Sequence, residues 1–165
     1  MRLLVCAFAI ALLATATSWG QPAQSGSVAA QLVGTWRLVR FGDVENPAGV
    51  RDANGQAVHP YGEKPLGLFI YTTDGHVAIQ IANPANPKCV PVCTSEQREA
   101  LVSGYIAYWG TYTVDAAAGV VVHHVKSDLG IGYTGTDQRR PFRLEGNRLV
   151  LGDGKTWTRV LERVP

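Results

Sequence analysis

Charge is sparse in this sequence. Only 17% of its 165 residues are Asp, Glu, Lys or Arg, the signs nearly balance at a formal +2, and no basic cluster is interleaved with aromatics. That combination argues against a nucleic-acid partner. Long apolar runs are missing beyond the first twenty residues, so no membrane span is expected in the remainder. Cysteine is scarce, with Cys6, Cys89 and Cys93 the full set. A single C-x3-C pair lacks zinc spacing, and the redox motif has two intervening residues. The Gly-x-Ser-x-Gly of a serine nucleophile is absent, and the glycine-rich stretch Leu129 to Thr136 lacks the lysine and spacing of a phosphate loop.

What is present begins with Met1-Arg2, an apolar run from Leu3 to Ala14, and small and polar residues through Gly20. This is the layout of a secretory signal peptide over residues 1–20, cleaved after Gly20 or, alternatively, after Ala16. As a membrane anchor the run is short of the roughly 20 residues a bilayer needs. Residues 21–31 read as a linker and short helical lead-in, and residues 32–165 as one domain with one core, secreted or periplasmic. Export makes a Cys89 to Cys93 disulfide the expected state, with free thiols the alternative.

Glycine is frequent and strand patterns recur, which suits an all-β domain. A first strand is expected over Leu32 to Phe41, followed by a long loop from Asp43 to Lys64 with a short extended piece at Gln56 to His59. Loops of that length are uncommon unless they act, for example as a lid over a barrel mouth. Asp74-Gly75 joins Leu66 to Thr73 with His76 to Ala82. Pairing Thr73 with His76 puts Leu68, Ile70, Val77, Ile79 and Ile81 on the core face, and Phe69, Tyr71, His76, Ala78 and Gln80 on the other. Thr94 to Ser103 reads as the one helix, capped by Thr94 with Gln97 as its capping-box partner.

The hairpin from Tyr105 to Lys126 carries adjacent histidines, which a strand sends to opposite faces. With Asp115 opposite Val120, His123 lies beside Tyr112 on the inner face with Tyr108, and His124 lies beside Thr111 on the outer one. Asp137 to Glu145 and Arg148 to Leu151 form a further hairpin, whose inner face includes Gln138 and Arg140. Lys155 to Val164 closes the chain. Eight strands, one helix after the third and hairpin connections predict an up-and-down barrel, which removes exposed edges. Such a barrel is just wide enough to be filled by side chains or to hold one small ligand.

Several segments resemble a known family. Gly34-Thr35-Trp36 is similar to the Gly-x-Trp signature of lipocalins, and Trp157-Thr158-Arg159 supplies an arginine of the kind that stacks on that tryptophan in calycin barrels. Leu32 to Val39, Pro60 to Gly62, Pro65 to Leu68, Tyr71 to His76, Gly104 to Asp115 and Val121 to Val125 together resemble the bacterial and fungal lipocalin-like domain family. The resemblance implies a calycin-like barrel from about Leu32 to Val164, with Trp36 and Arg159 closing one end, and says little about activity. The Cys89 to Cys93 loop looks like an insertion, and Val120 and Val122 stand where threonine is common.

The expected function is binding of a small apolar or amphipathic molecule, with His123, Tyr112, Tyr108, Arg140 and Gln138 as candidate ligand contacts. No cofactor or metal is implied, because adjacent strand histidines diverge and His76 sits at a turn. Two alternatives remain. One is an isomerase or cyclase using His123 and Tyr112 for acid–base chemistry; the other is a filled barrel serving as an interaction module. Oligomeric state is not legible.

Overall fold

The computed structural model describes residues 27–43, 60–62 and 64–165. The expected signal peptide, the extended piece at Gln56 to His59 and most of the long loop lie outside the described residues. Eight antiparallel strands follow one another around a closed barrel. They are β1 (Gly34–Asp43), β2 (Leu66–Tyr71), β3 (His76–Ala82), β4 (Tyr105–Asp115), β5 (Val120–Asp128), β6 (Asp137–Glu145), β7 (Arg148–Gly152) and β8 (Trp157–Arg163). Among the described residues two short helices accompany them, α1 (Val28–Leu32) and α2 (Ser95–Ser103). The expected all-β barrel is therefore the observed one, and α1 extends the lead-in through Leu32, so that β1 starts at Gly34.

Local chemistry accounts for several boundaries. Thr94 caps α2 by accepting from the Gln97 amide at 3.2 Å, while the Gln97 side chain accepts from the Thr94 amide at 2.9 Å. A disulfide joins Cys89 and Cys93 ahead of this helix. The β4–β5 hairpin has the expected register, with Asp115 opposite Val120, Tyr112 opposite His123 and Thr111 opposite His124.

The β2–β3 hairpin does not have the expected register. Thr72 and His76 close the turn, the Thr72 amide donating to the His76 carbonyl at 2.9 Å, and Thr73, Asp74 and Gly75 form a three-residue loop with Gly75 at φ 84°. A left-handed third residue is what that loop type demands, and glycine adopts it without Cβ strain. Tyr71 thus pairs with Val77 and Phe69 with Ile79. The one-residue slip turns all of β2 over. Phe69 and Tyr71 are buried in the core, whereas Leu66 and Leu68 are exposed.

The two ends of the barrel differ. At one end Leu32, Trp36, Leu149 and Leu161 pack with no exposure at all. The Trp36 indole N–H donates to the Leu32 carbonyl at 2.8 Å, and the Arg163 guanidinium donates to the carbonyls of Val33, at 2.7 Å, and Gln31. These are carbonyls at and just past the last turn of α1, which a five-residue helix leaves without internal partners. The guanidinium of Arg163 lies 4.1 Å from the Trp36 ring centroid. Gly34 makes room for it, since a Cβ there would sit 2.3 Å from Arg163 Nη1.

That arrangement corrects the expected Trp36 and Arg159 pair. In an antiparallel pairing the start of β1 meets the end of β8, so Trp36 faces Arg163 and Phe41 faces Arg159. Arg159 lies at the opposite end of the barrel, 3.2 Å from the Phe41 ring centroid.

Candidate functional site

The end of the barrel away from α1 encloses a cavity of about 490 Å³. Phe69, Ile79, Ile81, Ile106 and Leu151 supply its apolar wall. Its floor is polar, built around His123, and its rim carries Lys155, Thr156 and Trp157.

His123 has no solvent exposure and makes two hydrogen bonds, Nε2 with the Tyr71 hydroxyl at 2.9 Å and Nδ1 with the Tyr108 hydroxyl at 2.9 Å. Burial, reinforced by the nearby Arg140 charge, lowers its pKa to about 3, so the ring is neutral at physiological pH. A neutral imidazole has one N–H and one acceptor nitrogen. One tyrosine therefore donates to the ring and the other accepts from it. Burial also pushes the Tyr108 hydroxyl up to about 12 and raises Tyr71 well above its ordinary value, so neither phenol carries charge here. Among the described residues no buried side-chain polar atom lacks a partner, so the floor is a satisfied network inside an apolar wall.

Arg140 forms the polar side of the wall. Its Nη2 donates to Gln138 Oε1 at 3.2 Å, and its guanidinium lies 5.5 Å from the Tyr133 ring and 5.1 Å from the Trp157 ring. Burial works against its charge, but the oxygens of Tyr108 and Tyr133 outweigh this and hold the group above its ordinary pKa. It stays a cation.

Two turns, each organised by one aspartate, bring the remaining groups to the mouth. Asp128 accepts from the amides of Ile131, at 2.7 Å, Gly132, at 3.0 Å, and Thr134, at 2.7 Å. This folds the 129–136 segment so that Tyr133 meets Tyr108 edge-on, with ring centroids 5.8 Å apart. Asp153 accepts from the amides of Lys155 and Thr156, both at 2.8 Å, and of Trp157 at 3.1 Å. Hydrogen bonds to the ionised form, led by the Thr134 hydroxyl for Asp128 and the Thr156 hydroxyl for Asp153, hold both carboxyls below their usual range.

The candidates read from the sequence divide accordingly. His123, Tyr108 and Arg140 are brought together at the cavity, and Arg159 also lines it. Gln138 is the strand partner of His123 and reaches Arg140, but it does not line the cavity. Tyr112 points toward the packed end. Its ring meets Tyr71 edge-on at 5.1 Å and its hydroxyl donates to the Thr72 carbonyl at 2.9 Å. His124 lies outside, its Nδ1 2.7 Å from Asp137 and its Nε2 3.0 Å from Thr113. Among the described residues no cluster of His, Cys, Asp and Glu is arranged to hold a metal.

Sequence reasoning missed Tyr71, Tyr133, Lys155, Thr156 and Trp157. For Tyr71 the cause is the slipped β2 register. For Tyr133 a signal existed, an aspartate followed by glycines and Thr134, the pattern of a carboxylate-braced loop.

Residues 33–162 match the model of the lipocalin-like domain family. The chain belongs to that family. The match runs from just before β1 to one residue short of the end of β8, and the lipocalin-like barrel is in general terms a binding-protein fold, with the described cavity lining inside the matched region. No curated protein matches the sequence.

Proposed function

We propose that this lipocalin-like barrel is an exported binding protein that holds a small apolar or amphipathic molecule in the cavity at the end away from α1. The observation that carries this reading is the cavity itself: about 490 Å³, largely apolar, with His123, Tyr108 and Arg140 converging on it. Volumes of roughly 300–1,000 Å³ with few placed polar groups are characteristic of small-molecule sites. Export rests on the N-terminal pattern and fits the Cys89 to Cys93 disulfide.

A filled barrel would lack this space. Acid–base catalysis by His123 with Tyr112 loses its support, because both ring nitrogens are engaged by tyrosines and Tyr112 does not line the cavity. Organic-solvent extraction of the protein purified from its native compartment, followed by mass spectrometry, tests the binding reading. A co-purifying amphiphile in near-stoichiometric amount is the expected result. An empty extract, together with no displacement of a fluorescent apolar probe, would contradict it. Export is checked separately by N-terminal sequencing of the mature protein, which should begin at Gln21.

A further inference from the structure

Among the described residues the cavity is lined by three cationic side chains, Arg140, Lys155 and Arg159, and by no carboxylate. Lys155 is exposed at the rim. Arg159 is committed elsewhere, stacked on Phe41 and donating to the Gly42 carbonyl at 3.2 Å. Arg140 is different. Its side chain runs into the barrel, and every group around it is neutral: the Gln138 amide, the faces of Tyr133 and Trp157, and the hydroxyls of Tyr108 and Tyr133. Among the described residues no aspartate or glutamate forms an ion pair with it, whereas Arg37 and Arg143 on the outer surface both have one. A guanidinium removed from water without a counter-charge is an expensive arrangement. The tyrosine oxygens keep the group charged, but none of its partners among the described residues is a carboxylate.

From this placement we propose that the ligand is a singly charged acidic amphiphile, a monocarboxylate, whose head group pairs with Arg140 while its apolar body lies along Phe69, Ile79, Ile81 and Leu151. This rests on the binding function proposed above and adds its chemical class. The guanidinium fork matches a carboxylate in two parallel hydrogen bonds, so a planar acid fits better than a point anion. The hydroxyls of Tyr108 and Tyr133 lie beside the guanidinium. Trp157, stacked on Arg140, reports the event optically.

The test uses three probes of equal chain length, dodecanoate, dodecan-1-ol and dodecylamine, titrated at pH 8 below their aggregation limits and followed by tryptophan fluorescence and calorimetry. The expected result is dodecanoate bound at least about tenfold tighter than the alcohol, the amine weakest, and the acid-over-alcohol preference reduced to within about twofold in Arg140→Gln. Arg140→Lys keeps the charge without the fork and retains part of the preference. Equal binding of acid and alcohol by the unmodified protein overturns the anion seat and leaves the binding function standing. A preference that survives Arg140→Gln but disappears in Lys155→Gln overturns Arg140 as the seat. No binding of any probe overturns both. The unmodified protein's own selectivity decides the matter even where a variant fails to fold.

Discussion

The two ends of this barrel use the same kinds of residues for opposite purposes. Each end has an arginine on a tryptophan: Arg163 on Trp36, and Arg140 on Trp157. At the α1 end the guanidinium is answered by backbone carbonyls of Gln31 and Val33, and the indole is fully buried with its N–H donated to Leu32. Nothing there is left for a ligand to supply. At the other end the guanidinium is answered by neutral side chains and faces an open volume. One arginine is held by backbone carbonyls in a packed end, the other by side-chain oxygens beside a cavity.

The largest effect that would sharpen this comparison belongs to Trp36. Trp36→Ala removes a fully buried indole and the donor to Leu32, and should cost about 3–5 kcal/mol in urea unfolding, whereas Trp157→Ala should cost less than half of that and weaken probe binding. Equal losses would erase the distinction between a structural and a functional end.

His123 sits at the boundary between the two. His123→Leu strands the hydroxyls of Tyr71 and Tyr108 and should cost about 1–3 kcal/mol for each left unsatisfied. The pH dependence has a definite sign. The folded value of about 3 is below the ordinary 6.5, so below pH 6.5 the unfolded chain takes up a proton that the folded core refuses. Stability present above pH 6.5 is therefore lost as pH falls toward 3, at up to about 1.4 kcal/mol per pH unit. Carboxylates also titrate in that range, so the check is the difference between the parent and His123→Gln from pH 7 to 4. A parallel pair of curves would count against the buried neutral ring.

Much of this was legible beforehand, and the misses have physical causes. The β4–β5 register follows from a four-residue turn at Ala116 to Gly119, and it places His123 inside and His124 outside. The β2–β3 register does not follow from Asp74-Gly75 alone, because the same dipeptide serves a two-residue loop or the last two positions of a three-residue loop. The shorter loop puts Tyr71 outside and leaves Tyr112 and Tyr108 as the evident partners of His123. The arginine over Trp36 was readable from antiparallel topology, since the last strand's end lies beside the first strand's start and Arg163, not Arg159, is there. The groups of the cavity mouth were the least legible. Tyr133 and Lys155 sit on turns, where no strand periodicity says which way a side chain faces.

The arginines give the next effect. Arg163→Met removes the guanidinium donor from the carbonyls of Gln31 and Val33 and should cost about 1–3 kcal/mol. Arg140→Met should leave stability little changed in the empty protein, because it removes the desolvation cost of a part-buried cation along with its hydrogen bonds and substitutes an apolar chain of similar length. A chemical-denaturation pair run on the two variants checks both signs. The smallest effect is expected at Asp153→Ala, which releases the turn carrying Lys155 to Trp157. Thermal stability should barely change while probe affinity falls a few-fold. A large drop in Tm with unaltered affinity would place that turn with the structural end.

The most direct measurement of the central claim is a residue-resolved chemical-shift map of the full barrel domain on titration with dodecanoate. Shifts should concentrate at Ile106, Tyr108, Tyr133, Arg140 and Trp157, with Leu32, Trp36, Leu149 and Arg163 unmoved. Shifts centred on the α1 end, or scattered over the outer strand faces, would contradict the assignment of one end to packing and the other to binding.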